Sequence, residues 1–428
     1  MKHITKPLIA FAAFLLLASC EIVGPKPGPQ AVAAANQIAA DITLHRETAG
    51  LGTELSDPAL AIFARVFEKV REDYVRAVTD TALLSAARAG LKKAHPDPKG
   101  VDDGVLVMAA IDGMLGSLDR YSTYLDPSDL KAMRDRIRGQ FGGLGIKVRK
   151  HDEGLTVVSP IDGTPANRAG LKSGDIISHA DGKALKTLTL PAAVRILRGD
   201  VGEPITLTIR RSGAPTFDVE VVREVIKVAG VRSRVEKDVG YIRVSEFTRH
   251  VSHRVEDAVE IIRSKAGLDL KGFVLDLRNN PGGSFDEAIF MSDSFLEQGR
   301  IVSTKSRDGE AHHEAEAGDV ANGLPVVVLI NGGSASAAEI VAGALRDHKR
   351  AVLIGRKSFG KGTVQRLIPL GRNDALRLTT AIYLTPSGKS VEGGIEPDVD
   401  VVLDEDRDGD EQLERAIQTV RELYRSRP

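Results

Sequence analysis

From residue 225 to residue 405, short β-type apolar runs alternate with helical periods. That alternation limits the stretch to a layered α/β core with crossover connections. Tyr241–Phe247 reads as a strand, Val255–Ser264 as a helix and Gly272–Leu277 as a buried strand. Phe285–Leu296 reads as a helix, Leu324–Ile330 as a strand, Ala337–His348 as a helix and Ala351–Ile354 as a strand. In open sheets of this kind, reactive groups gather beyond the C-terminal ends of the strands. Two glycine-bearing loops are expected there. Leu277-Arg278-Asn279-Asn280-Pro281-Gly282-Gly283-Ser284 follows the strand ending near Asp276. Asn331-Gly332-Gly333-Ser334-Ala335-Ser336-Ala337-Ala338-Glu339-Ile340 joins a strand to a helix.

The rest of the chain divides around this core. Lys2, His3 and Lys6 precede an apolar run, Leu8–Ala18, which is too short to span a bilayer and has the form of a secretory signal over residues 1–20. Leu17-Ala18-Ser19-Cys20 resembles a bacterial lipobox, so Cys20, the sole cysteine, is the expected lipidation site. Residues 21–55, with Pro25, Pro27 and Pro29 and many small residues, read as a flexible tether. Apolar residues at three- and four-residue steps predict a helical domain over 56–135, broken at His95–Gly100. Short strands and one helix, Leu190–Leu197, make 136–224 a compact mixed domain, and 406–428 leads into a final helix over Leu413–Tyr424. The formal net charge of −1, with acids and bases mixed, lacks the basic footprint of a nucleic-acid binder.

A serine at a helix N-terminus beside glycine-loop amides suits acyl transfer, because a nucleophile then lies next to an oxyanion hole. The same pattern also fits a serine that merely caps a helix, and the loop alone does not separate the two. Such a serine needs a base. None of the ten histidines lies in a glycine-rich loop or a strand-end turn. Lys361, in Ser358-Phe359-Gly360-Lys361-Gly362-Thr363-Val364-Gln365, is the stronger candidate, since burial can bring a lysine towards neutrality. Gly355–Lys361 also matches a phosphate-loop spacing, but Gly362 stands where Ser or Thr should bind magnesium, and a strand follows instead of a helix. Asp404–Asp410 imitates a calcium loop, yet its twelfth position is Arg415 and no helix precedes it. No metal site and no cofactor is therefore expected.

Taken together, residues 324–365 resemble the core of the C-terminal processing peptidases, or tail-specific proteases. The likeness rests on the Gly-Ser-Ala-Ser-Ala run, the helix Glu339–Leu345 and Phe359–Gln365. It implies that Ser336, not Ser334, is the nucleophile, that Lys361, 25 residues on, is the base, and that Gln365 supports the lysine. It also implies an oxyanion hole made by the amide of Ala337 and one from Gly282 or Gly283. Leu118–Pro127 resembles that family's approach to its PDZ domain, and Gly394-Ile395-Glu396-Pro397-Asp398 its closing motif. Gly142-Gly143-Leu144-Gly145-Ile146 looks like a PDZ carboxylate-binding loop, with Gly143, Leu144, Gly145 and Ile146 as the expected contacts. Three departures stand out: Ala338 for a serine, Arg120-Tyr121 for a more usual Pro-His pair, and an insertion over His95–Val105.

The resemblance implies a multidomain α+β protein: an N-terminal helical domain, an inserted PDZ domain and a crotonase-like α/β protease core. It further implies a serine endopeptidase cutting near free C-termini of protein or peptide substrates, while the signal pattern and lipobox-like Cys20 predict a protein exported and lipid-anchored to the bacterial envelope. Self-association, if it occurs, is expected through the N-terminal helices. The rival readings are an inert lipid-anchored PDZ scaffold and a crotonase-like acyl-CoA enzyme.

Overall fold

The computed structural model describes residues 26–50, 57–227, 230–371, 373–402 and 409–427. The expected signal segment, the lipidation site Cys20 and most of the calcium-loop decoy lie outside them.

Four helices open the chain: α1 (Pro29–Thr48), α2 (Asp57–Asp73), α3 (Asp80–Ala94) and α4 (Asp103–Gly116). The first corrects the tether expectation. Pro29 occupies the first helical turn, where its missing N–H costs nothing, and the alanines that read as linker are strong helix formers. Ala31, Ala34, Ala35, Ile38 and Ile42 form its buried stripe. This stripe packs with Phe63, Phe67, Leu83, Leu91, Leu106 and Ile111 from the other three helices. The same cluster contains Leu370, Leu376 and Leu378 from near the end of the catalytic core. The helical region is therefore fused to the core by a shared apolar interior. Strand β1 (Thr123–Leu125) reinforces the fusion, and α5 (Pro127–Ile137), capped by Asp126, leads on.

The next unit is bounded by β2 (Gln140–Gly143) and β9 (Glu224–Lys227), which pair antiparallel as a two-stranded neck. Between them lie β3 (Ile146–His151), β4 (Gly154–Pro160), β5 (Ile176–Ala180), β6 (Lys183–Ala184), β7 (Pro204–Arg210) and β8 (Phe217–Val222), with helices α6 (Pro165–Arg168) and α7 (Leu190–Leu197). The strand order is β3-β4-β5-β7-β8, with β6 beside β5, so β3 presents an open edge. Leu155, Val157, Ile177, Leu207 and Ile209 from the strands pack with Ala193 and Leu197 of α7.

The core is a six-stranded sheet in the order β10-β11-β12-β15-β16-β19. These strands are β10 (Val231–Glu236), β11 (Val239–Val244), β12 (Gly272–Asp276), β15 (Val326–Ile330), β16 (Ala351–Gly355) and β19 (Val399–Asp400). From β11 onward every pairing is parallel. Alternate residues face opposite layers, as the strand period requires. Leu275, Val328 and Leu353 join the side packed with α8 (Val251–Ala266), α9 (Phe285–Asp293) and α10 (Ala337–Asp347). Val274, Val327 and Ile354 meet Leu413, Ala416 and Val420 of α11 (Glu411–Arg425) on the other. A second sheet contains β13 (Gly299–Lys305), β14 (Glu310–Ala315), β17 (Thr363–Gly371) and β18 (Asp374–Leu384), with β1 paired to β18. The helical region and the core are thus joined around β18.

Candidate active site

Three loops leave the C-terminal ends of the adjacent parallel strands β12, β15 and β16, and they carry every catalytic candidate except Gln365. The loop after β15 is pinned by Ser334. This side chain is fully buried, donates to the Leu277 carbonyl at 2.8 Å and accepts from the Asn331 amide at 2.9 Å. A serine so engaged is structural. Ser336 is half-buried and sits at the N-cap of α10 with φ 56° and ψ −116°. A non-glycine residue held there carries backbone strain on the order of 1–3 kcal/mol, which the surroundings must offset.

They do so through Glu339. Its carboxylate is fully buried and accepts four hydrogen bonds: from the Ser336 amide at 2.8 Å, the Lys361 amide at 2.9 Å, the Gly360 amide at 2.7 Å and Ser358 Oγ at 2.5 Å. One side chain thus binds the backbone of the serine loop to that of the lysine loop. Tyr383 adds a second tie, its hydroxyl donating to the carbonyl of Lys361 and, at 3.3 Å, to that of Ser336. In the sequence Glu339 stands on an expected helix with no evident role. A helical carboxylate three residues after a candidate nucleophile was the signal present. The Gly394–Ile395 segment of the closing motif grips the lysine loop, with Ile395 N donating to Ser358 Oγ at 2.7 Å. A Cβ on Gly360, whose φ is +90°, would stand 2.5 Å from the Gly394 nitrogen.

Burial pushes the Lys361 amine down to about 8 from its usual 10.5, with help from Arg377 and against the pull of Glu339 and Asp119. Desolvation disfavours the charged form of a lysine. The amine rests over the Tyr121 ring, 4.8 Å from its centroid, and makes no hydrogen bond among the described residues. Gln365 does not orient it here. The Gln365 amide nitrogen donates to Thr363 Oγ1 at 2.9 Å and Thr379 Oγ1 at 3.2 Å, beside a break in the β17–β18 register.

The two glycines of the β12 loop separate clearly. Gly282 lies against the nucleophile, since a Cβ there would stand 2.8 Å from Ser336 Cβ, but its N–H donates to Asn280 Oδ1 at 2.9 Å. That amide is spent, and Gly282 drops out as an oxyanion donor. The amides of Gly283 and Ala337 find no acceptor among the described residues. Asn280, fully buried, fixes the loop by donating to the Val244 carbonyl at 2.9 Å while its own carbonyl accepts from Ala335 at 2.9 Å.

In the inserted unit, Gly143 ends β2 opposite Glu224, and the Leu144 side chain is buried in that unit's core. The amides of Leu144 and Gly145 also lack an acceptor among the described residues, whereas the Gly145 carbonyl accepts from Ile161 N at 2.8 Å. Ile146 begins the edge strand β3. These four residues lie together, at one end of that open edge.

Strand order, the strained serine and a buried lysine make an arrangement suited to a serine peptidase. Residues 238–401 match peptidase family S41, and residues 142–221 match the PDZ domain. The chain is 49% identical over 345 residues to a carboxy-terminal-processing protease of Bartonella bacilliformis, covering 79% of this chain and 74% of the relative. It is 37% identical to a CtpA-like serine protease of Staphylococcus aureus strain MSSA476, covering 82% of this chain and 71% of that one. The photosystem II D1 C-terminal processing protease matches in structure with a TM-score of 0.51 and 28% identity, over 81% of this chain and 94% of that one. The chain belongs to peptidase family S41 and carries a PDZ domain between its helical region and its catalytic core. Nothing in these likenesses supports an acyl-CoA enzyme or an inert scaffold.

Proposed function

We propose that this peptidase removes segments from the C-terminal ends of proteins or peptides through an acyl-enzyme. The observation that carries the reading is the Glu339 carboxylate, which holds the Ser336 and Lys361 loops together while burial brings the Lys361 amine to about 8. Neutral Lys361 takes the Oγ proton as Ser336 attacks the peptide carbonyl, and the negative oxygen is received by the amides of Gly283 and Ala337. Protonated Lys361 then gives its proton to the departing amine, and water, activated by the same lysine, releases the acyl group. Gln365 assists once its side-chain oxygen accepts from the amine. The substrate end adds as a strand to the free edge of β3, its carboxylate resting on the Leu144 and Gly145 amides.

Export and lipidation at Cys20, which would hold the enzyme on the bacterial envelope, are part of the proposal and rest on the N-terminal sequence. So is self-association through the N-terminal helices. Comparing free protein C-termini in cells carrying wild-type or Ser336→Ala enzyme tests the substrate class. New internal C-termini should vanish with the serine, and paired peptide substrates should be cut faster as free acids than as C-terminal amides. Equal cutting of acid and amide across several sequences would remove the C-terminus from the recognition scheme.

A further inference from the structure

The mechanism leaves one contact of Lys361 unexplained: its amine lies over the face of Tyr121, not against a hydrogen-bond acceptor. Tyr121 is held firmly. The Asp119 carboxylate accepts the amides of Tyr121 and Ser122, both at 2.7 Å. Arg377 Nε donates to the Tyr121 carbonyl at 3.0 Å. Ser122 Oγ donates to Asp119 at 3.0 Å and accepts from the Thr379 amide at 3.2 Å, which ties the turn to β18. This turn joins α4 to β1, so the helical region contributes a wall to the site. It is also one of the places where the sequence departs from the pattern it otherwise resembles.

We propose that Tyr121 is a positioning residue: its ring seats the charged Lys361 amine apart from Ser336, and only the neutral amine leaves the ring for the serine hydroxyl. An ammonium is drawn to the electron-rich face of an aromatic ring, whereas a neutral amine gains almost nothing there. The neutral form instead has a lone pair that can accept from Ser336 Oγ–H. Protonation state and position are thereby linked. Arg377 of β18 and Arg136 of α5 oppose charge on the amine, and Glu339 of α10 and Asp119 favour it. The Arg120 guanidinium lies 5.1 Å from the Tyr121 centroid and 5.3 Å from that of Phe359, a further positive group beside the seat. Tyr383 meets Lys361 through its carbonyl. Tyr121 thus adds to the two carboxylates, delaying loss of the proton as pH rises.

The inference rests on Lys361 being the base, and the test separates the two claims. In full-length Ser336→Ala enzyme labelled with 15N-lysine, the Lys361 side-chain resonance, assigned by its loss in Lys361→Arg, is followed against pH. Tyr121→Leu should lower the midpoint by about 0.4–1.5 pH units, and the acid limb of kcat/KM in the active enzyme should move with it. Tyr121→Phe, which keeps the ring, should leave the midpoint within about 0.2 units. Tyr121→Met serves as a second non-aromatic replacement should the leucine variant not fold. A midpoint unmoved or raised in the non-aromatic variants, with Lys361→Arg inactive, overturns the seat alone. A phenylalanine variant that shifts as far as leucine overturns it too. Activity retained by Lys361→Arg would overturn the base assignment beneath it.

Discussion

Glu339 Oε2 accepts the backbone N–H of Ser336 at 2.8 Å. The bond holds the nucleophile in a conformation that L-residues rarely adopt, and the same oxygen accepts the Lys361 amide at 2.9 Å. Glu339→Gln puts an NH2 donor where donors already converge. At least one buried N–H then loses its acceptor, at a cost of about 1–3 kcal/mol. Ser336 should relax out of line, lowering kcat by roughly 100-fold with KM changed little. Steady-state kinetics check this, alongside the labelling rate of Ser336 by a serine-reactive phosphonate. A KM effect alone would remove Glu339 from the positioning of the nucleophile.

Lys361 acts as a base only when neutral. With its amine at about 8, about one molecule in ten is neutral at pH 7, and the fraction rises as pH climbs through that value. Peptidase activity should therefore increase from pH 6 to pH 9 with an acid limb near pH 8. Lys361→Arg keeps a cation that cannot deprotonate and should be nearly as inactive as Ser336→Ala. A pH-independent rate over that range would contradict the assignment.

Gly283 and Ala337 are the expected oxyanion donors, because the Gly282 amide is committed to Asn280. A crystal structure with a peptide aldehyde on Ser336 should place the hemiacetal oxygen about 2.7–3.1 Å from both nitrogens. Contact with the Gly282 nitrogen in place of Gly283 would require the Asn280 bond to break and would reverse this choice. Gly282→Ala should still damage turnover, since its Cβ would press on Ser336 Cβ.

Helices α3 and α4 touch at Gly90 and Gly113, where a Cβ added to Gly90 would stand 2.4 Å from the Gly113 Cα. Gly90→Ala should destabilise the protein by about 1–3 kcal/mol through overpacking, partly offset by a gain of up to about 1 kcal/mol in helix propensity. Because this bundle shares its interior with Leu376 and Leu378, the loss should appear in the unfolding of the catalytic core as well. Urea denaturation followed by peptidase activity and by far-UV ellipticity should give coincident midpoints, both lowered.

The order of strands and helices in the core was legible because β12 and β15, covered on both faces, stand out as short continuous apolar runs, while a helix such as α8 repeats its buried residues at three- and four-residue steps. Ala337–His348 was expected as a helix and α10 spans Ala337–Asp347; Leu190–Leu197 was expected and found. The segment Pro29–Thr48 misled because small residues and prolines fit a linker and a tightly packed helix equally well. What separated them was a partner surface supplied by α2, α3 and α4, which local pattern does not contain.

The sequence alone determined which groups could react: a serine at a helix start, a lysine in a glycine loop and two glycines after a strand. Tertiary structure decided how they are used. Ser334 is excluded by its bond to Leu277, Gly282 by its bond to Asn280, and Lys361 is joined to Ser336 through Glu339 and faces Tyr121 from a distant turn. Those outcomes depend on which loops the parallel order β12-β15-β16 brings side by side. A buried polar atom must take whatever partner that packing offers, since leaving it unpaired costs more than a typical hydrogen bond contributes.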